Sequence, residues 1–333
     1  MFLMLLFVLT LLLLLAASPS EAKTHSFFIT KEQAYNGMLR SDIPPALTIE
    51  DGDTVVFNTV MLMAGELSPE MTFDEMFALR TRMKERGLGV YAFTGPFFVK
   101  GAEPGDILEV RIKRIVPGKY AVTHIYPDET GIGGLPEGVE TGYLKPLYLS
   151  EDRKSIPFAP GVTVPVRPFL GTMAVAPRPG EEHPPAVPGY FAGNMDNKEL
   201  GAGSTLYIPV NVPGALFMAA DAHAAQGDGE VSIAAAETYF EEVELEFVVR
   251  KDLPLRFPMA ETPDHWIVMA FHKDLDEAMK GAIREAIRFL EREKRLTRNE
   301  AYSLCSLAVD FRITQVVDGD KGVHGMIPKA IFG

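Results

Sequence analysis

Cysteine is almost absent: Cys305 is the only one in 333 residues, so no disulfide can form within the chain. Its surroundings, AYSLCSLAVD, have helical apolar spacing, which reads Cys305 as a small buried hydrophobe and not a nucleophile. A cysteine-hydrolase mechanism therefore has no footing. Clustered positive charge is lacking too. The formal charge is −13, and the basic residues stand interleaved with acids. Nucleic acid, whose phosphates need grouped Lys and Arg, is excluded as a partner. Beyond residue 17 no run is apolar enough to cross a bilayer.

The opening segment, MFLMLLFVLTLLLLLAASPSEA, is apolar over residues 1–17 and then small and polar. It lacks a basic start, because no Lys or Arg precedes Lys23. Ser20-Glu21-Ala22 fits the small-x-small pattern of a signal cleavage site, which predicts a signal peptide over residues 1–22. The expected location is then outside the cytoplasm, periplasmic or secreted. Residues 23–333 are expected to form the working region, with no membrane span after removal of the signal and with room for a homo-oligomer.

Glycine and proline are plentiful, 29 and 25 residues, and they punctuate alternating segments. ALTIEDGDTVVFNTV reads as two strands about an Asp-Gly turn. FFVKGAEPGDILEVRIKRI and TLYIPVNVPGALFMAADAH repeat the scheme with Pro-Gly turns, where Pro presets φ and Gly accepts positive φ. This predicts a mainly β fold of sandwich- or barrel-like hairpins over residues 44–255, followed by an α+β portion over 256–333. In that portion Leu275, Met279, Ala282, Ile283, Ala286, Ile287 and Leu290 share one helical face. Asp274 with Glu277, and Thr297 with Glu300, mark two helix starts.

Chemistry concentrates in LFMAADAHAAQGDGEVSIAAAET. In a strand, Asp221 and His223 point to one face. If Gly227-Asp228-Gly229 closes a symmetric hairpin, residue 221 faces 235, and Glu237 lies diagonally across on the face of Asp221. The alanines at 219, 222, 224 and 235 would leave room beside the cluster. An EF-hand fails, because positions 5 and 6 counted from Asp221 are Ala225 and Gln226. A His-plus-carboxylate set suits a divalent transition metal, zinc first and calcium as the alternative. A second polar stretch, GNMDNKELGAGS, brings Asn194, Asp196 and Lys198. Asp196 is either a turn cap or a fourth ligand or base. Asp228 is first a turn residue and second, with Glu230, a proton acceptor. Asn194 and Gln226 are the candidate substrate-binding amides. Of the remaining histidines, His124 and His324 stand out.

These stretches resemble the acetamidase/formamidase family. GNMDNKELGAGSTLYIPVNVPGALFMAADAHAAQGDGEVSIAAAE looks like its signature block, and TGPFFVKGAEPGDILEV, PVRPFLGTMAVAP and VHGMIPK match further segments in the same order. The resemblance runs from about residue 44 to the C-terminus. It implies a β-rich fold with an α/β portion and hydrolysis of small amides, formamide and acetamide, to carboxylate and ammonia. It also implies a metal at Asp196, Asp221, His223 and Glu237, with Asp196, Glu237 and Asp228 as the candidate catalytic carboxylates. Two stretches depart from the family pattern: Tyr91-Ala92-Phe93, and the methionine-rich NTVMLMAGE. The rival reading is an exported binding protein holding a structural metal or a small polar ligand.

Overall fold

The alternation in ILEVRIKRIVP produces an 11-residue strand, Ile107–Pro117, at the middle of the larger of two sheets. In the computed structural model, which describes residues 21–333, this strand pairs antiparallel with Phe240–Arg250 on one side and Thr205–Pro209 on the other. Nine strands make up that sheet. A second sheet of eight strands is built around Phe217–His223, and a short two-stranded ribbon joins Ser155–Ala159 to Val162–Pro165. The large sheets share one apolar core. Phe97 and Phe217 of the second sheet meet Phe247 of the first at ring-centroid distances of 6.1 and 5.0 Å. The mainly β expectation holds, and neither sheet closes into a barrel. The signal segment falls almost wholly outside the described residues.

The turn chemistry was legible, but its consequence differs from a stack of hairpins. Gly105 (φ +100°) and Gly214 (φ +76°) take the left-handed positions, and Asp106 N and Ala215 N close their turns onto Glu103 O and Val212 O. Yet the strands on either side belong to different sheets. Thr94–Val99 lies in the second sheet and Ile107–Pro117 in the first; Thr205–Pro209 lies in the first and Phe217–His223 in the second. The Asp51-Gly52 turn likewise separates Leu47–Ile49 from Thr54–Phe57. Each of the three predicted hairpins is a corner of the sandwich. The reason is burial: Phe217–His223 is buried along its whole length, so both its faces need cover, and no adjacent hairpin partner supplies that.

Three α-helices occur among the described residues. Helix α1, Phe73–Glu85, was not expected; a Thr72–Glu75 capping box starts it, and it buries only Met76 and Met83. The expected pair follows near the C-terminus: α2 is Leu275–Lys294 and α3 is Arg298–Ala308. Gly281 of α2 rides close to the sheet, where an added Cβ would meet Ala270 Cβ at 2.8 Å. Cys305 is buried between α3 and the sheet, and burial pushes its thiol pKa up. The inert-cysteine reading holds. The strands His265–His272, Lys321–Pro328 and Asp310–Gln315 extend the first sheet, so the α+β portion shares its hydrogen-bonding with the β-rich body.

Candidate active site

The strand Phe217–His223 carries Asp221 and His223 into the interior between Phe169–Ala174 and Glu237–Thr238. The expected register is corrected. His223, not Asp221, sets the offset: it faces Glu237, and Ala222 faces Thr238. The segment between them is an open loop, not a symmetric Gly-Asp-Gly turn, with Ala224 N and Ala236 N still bonded to Ala236 O and Ala225 O. Because the pairing differs from the expected one by an even number of residues, side-chain parity is kept. Glu237 therefore stays on the face of Asp221 and His223. His223 Nε2 lies 3.2 Å from Asp221 Oδ1 and 3.2 Å from Glu237 Oε2.

Asp196 joins them from the segment after Ala192–Asn194, with its Oδ1 3.8 Å from His223 Nδ1. Both Asp196 (φ +50°) and Asp221 (φ +62°) hold left-handed backbone, which costs a non-glycine residue energy and is tolerated where the surroundings fix it. The room for two carboxylates comes from Gly171, not from the alanines. Leu170 faces Ala222 and Thr172 faces Ala220, which sets Gly171 opposite Asp221. A Cβ on Gly171 would sit 2.5 Å from Asp196 Oδ1, 2.5 Å from Asp221 Oδ2 and 2.9 Å from His223 Cε1. The alanines 219 and 222 pack instead into the main core, 224 into a smaller apolar cluster, and 235 onto an outer groove.

The predicted amides are engaged with these groups. Asn194 Nδ2 donates to Asp196 Oδ2 at 2.5 Å, and Asn194 Oδ1 accepts from Thr172 Oγ1. Gln226 bonds to His223 Nδ1 and to the backbone oxygen of Asp196, both at 2.9 Å. Asn194 and Gln226 thus support the acidic cluster. Asp228 does not join it: its carboxylate pairs with Lys198 Nζ at 3.0 Å on the rim of an outer groove of about 560 Å³. Two further acids do join. Glu230 comes from the loop after Gly229, and Asp318 from the turn after Asp310–Gln315. His124 lines an inner cavity together with Asp221, Glu230, Glu237 and Asp318; His324 instead is bonded to Thr314 Oγ1.

The result is a cavity of about 110 Å³ with an acidic wall, formed by Asp221, Glu230, Glu237 and Asp318, beside His223. Leu62, Met63, Tyr91 and Ile233 also line it, with Arg80 as a basic neighbour, so both stretches that depart from the family pattern reach the cavity. Its electrostatics are unbalanced. Burial, then Glu230 and Asp318, hold the Asp196 carboxyl well above the usual carboxylate range. Burial pushes Asp221 and Glu230 up as well, and pushes Asp318 up to about 7. Burial alone would lower the His223 pKa, but Glu237 and Asp221 hold it well above its ordinary value. Among the described residues, Asp196 Oδ1, Glu237 Oε2 and Asp318 Oδ2 are buried with no hydrogen-bond donor.

Buried acceptors without donors are costly, and so many carboxyls cannot ionise together without a counter-cation. The donor atoms form three overlapping groups, each with members within 4.8 Å of one another: Asp196, Asp221 and His223; His223, Glu230 and Glu237; and Asp196, Glu230 and Asp318. Imidazole plus carboxylate oxygen is the donor chemistry of zinc and similar divalent ions. The residues present fit a bound divalent cation.

This fold is shared with known proteins. The chain is 29% identical to an acetamidase of Bacillus halodurans, with a TM-score of 0.82 over 93% of this chain and 98% of that one. It is 25% identical to an acetamidase of Yersinia enterocolitica, with a TM-score of 0.83 over 95% of each chain. A Schizosaccharomyces pombe protein that bears the name formamidase is 26% identical along an alignment 274 residues long that covers 66% of this chain; the chain spans 65% of that curated relative's length. The model of the Acetamidase/Formamidase family matches residues 23–183 and 185–333, nearly everything described above. With the sandwich and the buried signature block both in place, the chain belongs to the acetamidase/formamidase family.

Proposed function

We propose that the protein hydrolyses the C–N bond of small linear amides, of the formamide and acetamide type, to carboxylate and ammonia in this cavity. The observation that carries this reading is the trio of donorless buried carboxylate oxygens around His223. They describe a place for positive charge beside a space fit for a small ligand. Asp196, Asp221, His223 and Glu237 would hold a divalent cation, zinc by donor type. When bound, such an ion polarises the amide carbonyl and lowers the pKa of the attacking water.

The remaining work falls to the chain. Amide resonance deactivates the carbonyl carbon, and an amine leaves only once protonated, so a group must take a proton from water and return it to nitrogen. Asp318 suits that transfer. It lines the cavity beside Asp221, Glu230 and Glu237, and its Oδ2 has no hydrogen-bond partner. The water oxygen bonds to the carbonyl carbon as its proton passes to Asp318; the C–N bond breaks as that proton reaches nitrogen. The second water proton leaves the new carboxylic acid and is taken up by the released ammonia, so the products are a carboxylate and ammonium. Leu62, Met63 and Ile233 exclude water and leave room for a short acyl group.

Ammonia release from formamide and acetamide by purified protein tests the reading, with His223→Ala as control. Release by wild type and its loss in the variant are expected; no release from any short amide would favour the binding-protein reading. We also propose export, on the apolar leader alone, and N-terminal sequencing of material from an expressing cell should begin at Lys23.

A further inference from the structure

We propose that Gln226 is a positioning residue that fixes which nitrogen of His223 is offered to the cation, an inference that rests on the cation-binding reading of the cluster. The backbone oxygen of Asp196 can only accept, so the Gln226 amide must present its NH₂ there, at 2.9 Å. The amide oxygen is then the atom that faces His223 Nδ1 at 2.9 Å, and it too can only accept. Nδ1 therefore carries a proton, and when a cation replaces the proton on Nε2 it is the Nε2 lone pair that is offered to it. Nε2 stands 3.2 Å from Asp221 Oδ1 and 3.2 Å from Glu237 Oε2, so the nitrogen left free by Gln226 is the one beside both carboxylates.

The same side chain also sets a spacing. Gln226 bonds to two segments that carry proposed ligands, the strand end at His223 and the left-handed turn at Asp196, 30 residues away in sequence from Gln226. Removing its amide frees the ring to rotate and unties Asp196. A metal-bound histidine whose other nitrogen is held in this way is oriented and made more basic by its partner. Gln226 does this work with a neutral group, in a place where another carboxylate would add to the existing repulsion.

The test uses full-length protein loaded with zinc and labelled with ¹⁵N on histidine only. NMR should show His223 with a proton on Nδ1 and zinc on Nε2, assigned by its loss in His223→Asn. Gln226→Met should weaken zinc, measured against a chromophoric chelator, by about 10- to 100-fold, while Gln226→Glu, which keeps the acceptor at Nδ1, should recover part of the loss. Zinc on Nδ1 in the wild-type spectrum would overturn the assignment, whether or not the variants fold. A folded Gln226→Met chain with zinc affinity within about twofold of wild type would overturn it as well. If the wild-type chain takes up no zinc at all, the cation-binding reading falls and this inference with it.

Discussion

Replacing Gly171 by alanine adds one methyl group at the point where the proposed site is tightest. The backbone there is not left-handed, so alanine meets no conformational penalty of its own. The consequence is steric. An added Cβ would lie 2.5 Å from both Asp196 Oδ1 and Asp221 Oδ2, whereas a close C···O contact is about 3.3 Å. Each carboxylate must retreat from Gly171 by roughly 0.8 Å, and His223 Cε1, 2.9 Å from the added Cβ, is crowded as well. Overpacking of this kind costs about 1–3 kcal/mol of stability, and a 1 Å misplacement at a reacting centre can cost about 100-fold in rate. Gly171→Ala is therefore expected to fold with a modestly lowered Tm, to lose most of its zinc affinity, and to release ammonia from acetamide about 100-fold more slowly in kcat/KM. Thermal unfolding, chelator competition and coupled ammonia detection read the three effects separately. A folded Gly171→Ala protein with wild-type zinc affinity and turnover would refute the claim that this glycine makes the space.

Further expectations follow from other parts of the molecule. Burial, then Arg80, lowers His124 to about 4, below the roughly 6.5 of an unfolded chain. The unfolded state thus binds an extra proton between those values, so this stability is present above pH 6.5 and lost as pH falls toward 4. His124→Phe, which keeps a ring against Tyr126, should remove about 2 kcal/mol of the loss seen in urea unfolding between pH 7 and pH 5; an unchanged pH slope contradicts the burial argument. Met63→Ala enlarges the apolar wall of the cavity, so the preference for acetamide over butyramide should fall by about 10-fold or more in kcat/KM. An active variant with unaltered preference would remove Met63 from the pocket wall. Asp228→Asn breaks a partly exposed pair with Lys198 and should change stability by less than about 1 kcal/mol and leave turnover within a few-fold. A large loss of turnover would return Asp228 to the site.

What the sequence disclosed, and what it withheld, follows from the range of each signal. Turn residues act locally, so Pro-Gly at 104–105 and 213–214 correctly announced tight turns. Whether the next strand stays in the same sheet is decided by core burial far along the chain, and there the hairpin expectation failed. The pairing of Glu237 with the histidine strand shows a forgiving case: the register was misjudged, but an even displacement keeps a side chain on its face. Asp318 shows the opposite. An Asp-Gly-Asp turn ordinarily signals solvent, and nothing local reveals that Asp318 reaches a buried cavity. Gly171 did carry a signal, since glycine inside the strand Phe169–Ala174 marks a close approach, though not what approaches. Helix α1 also had one in the Thr72–Glu75 spacing, but its weak apolar face hid it.

The central claim is that the acidic cluster works by holding a divalent cation for amide hydrolysis, and one titration tests it. Purified protein is stripped by exhaustive chelation, zinc is returned in steps, and bound zinc and ammonia release from acetamide are followed in the same samples. Negligible turnover is expected in the stripped protein, with activity that rises in proportion to zinc bound and with Glu237→Gln displaced to higher zinc concentration. Full turnover in the stripped protein would contradict it.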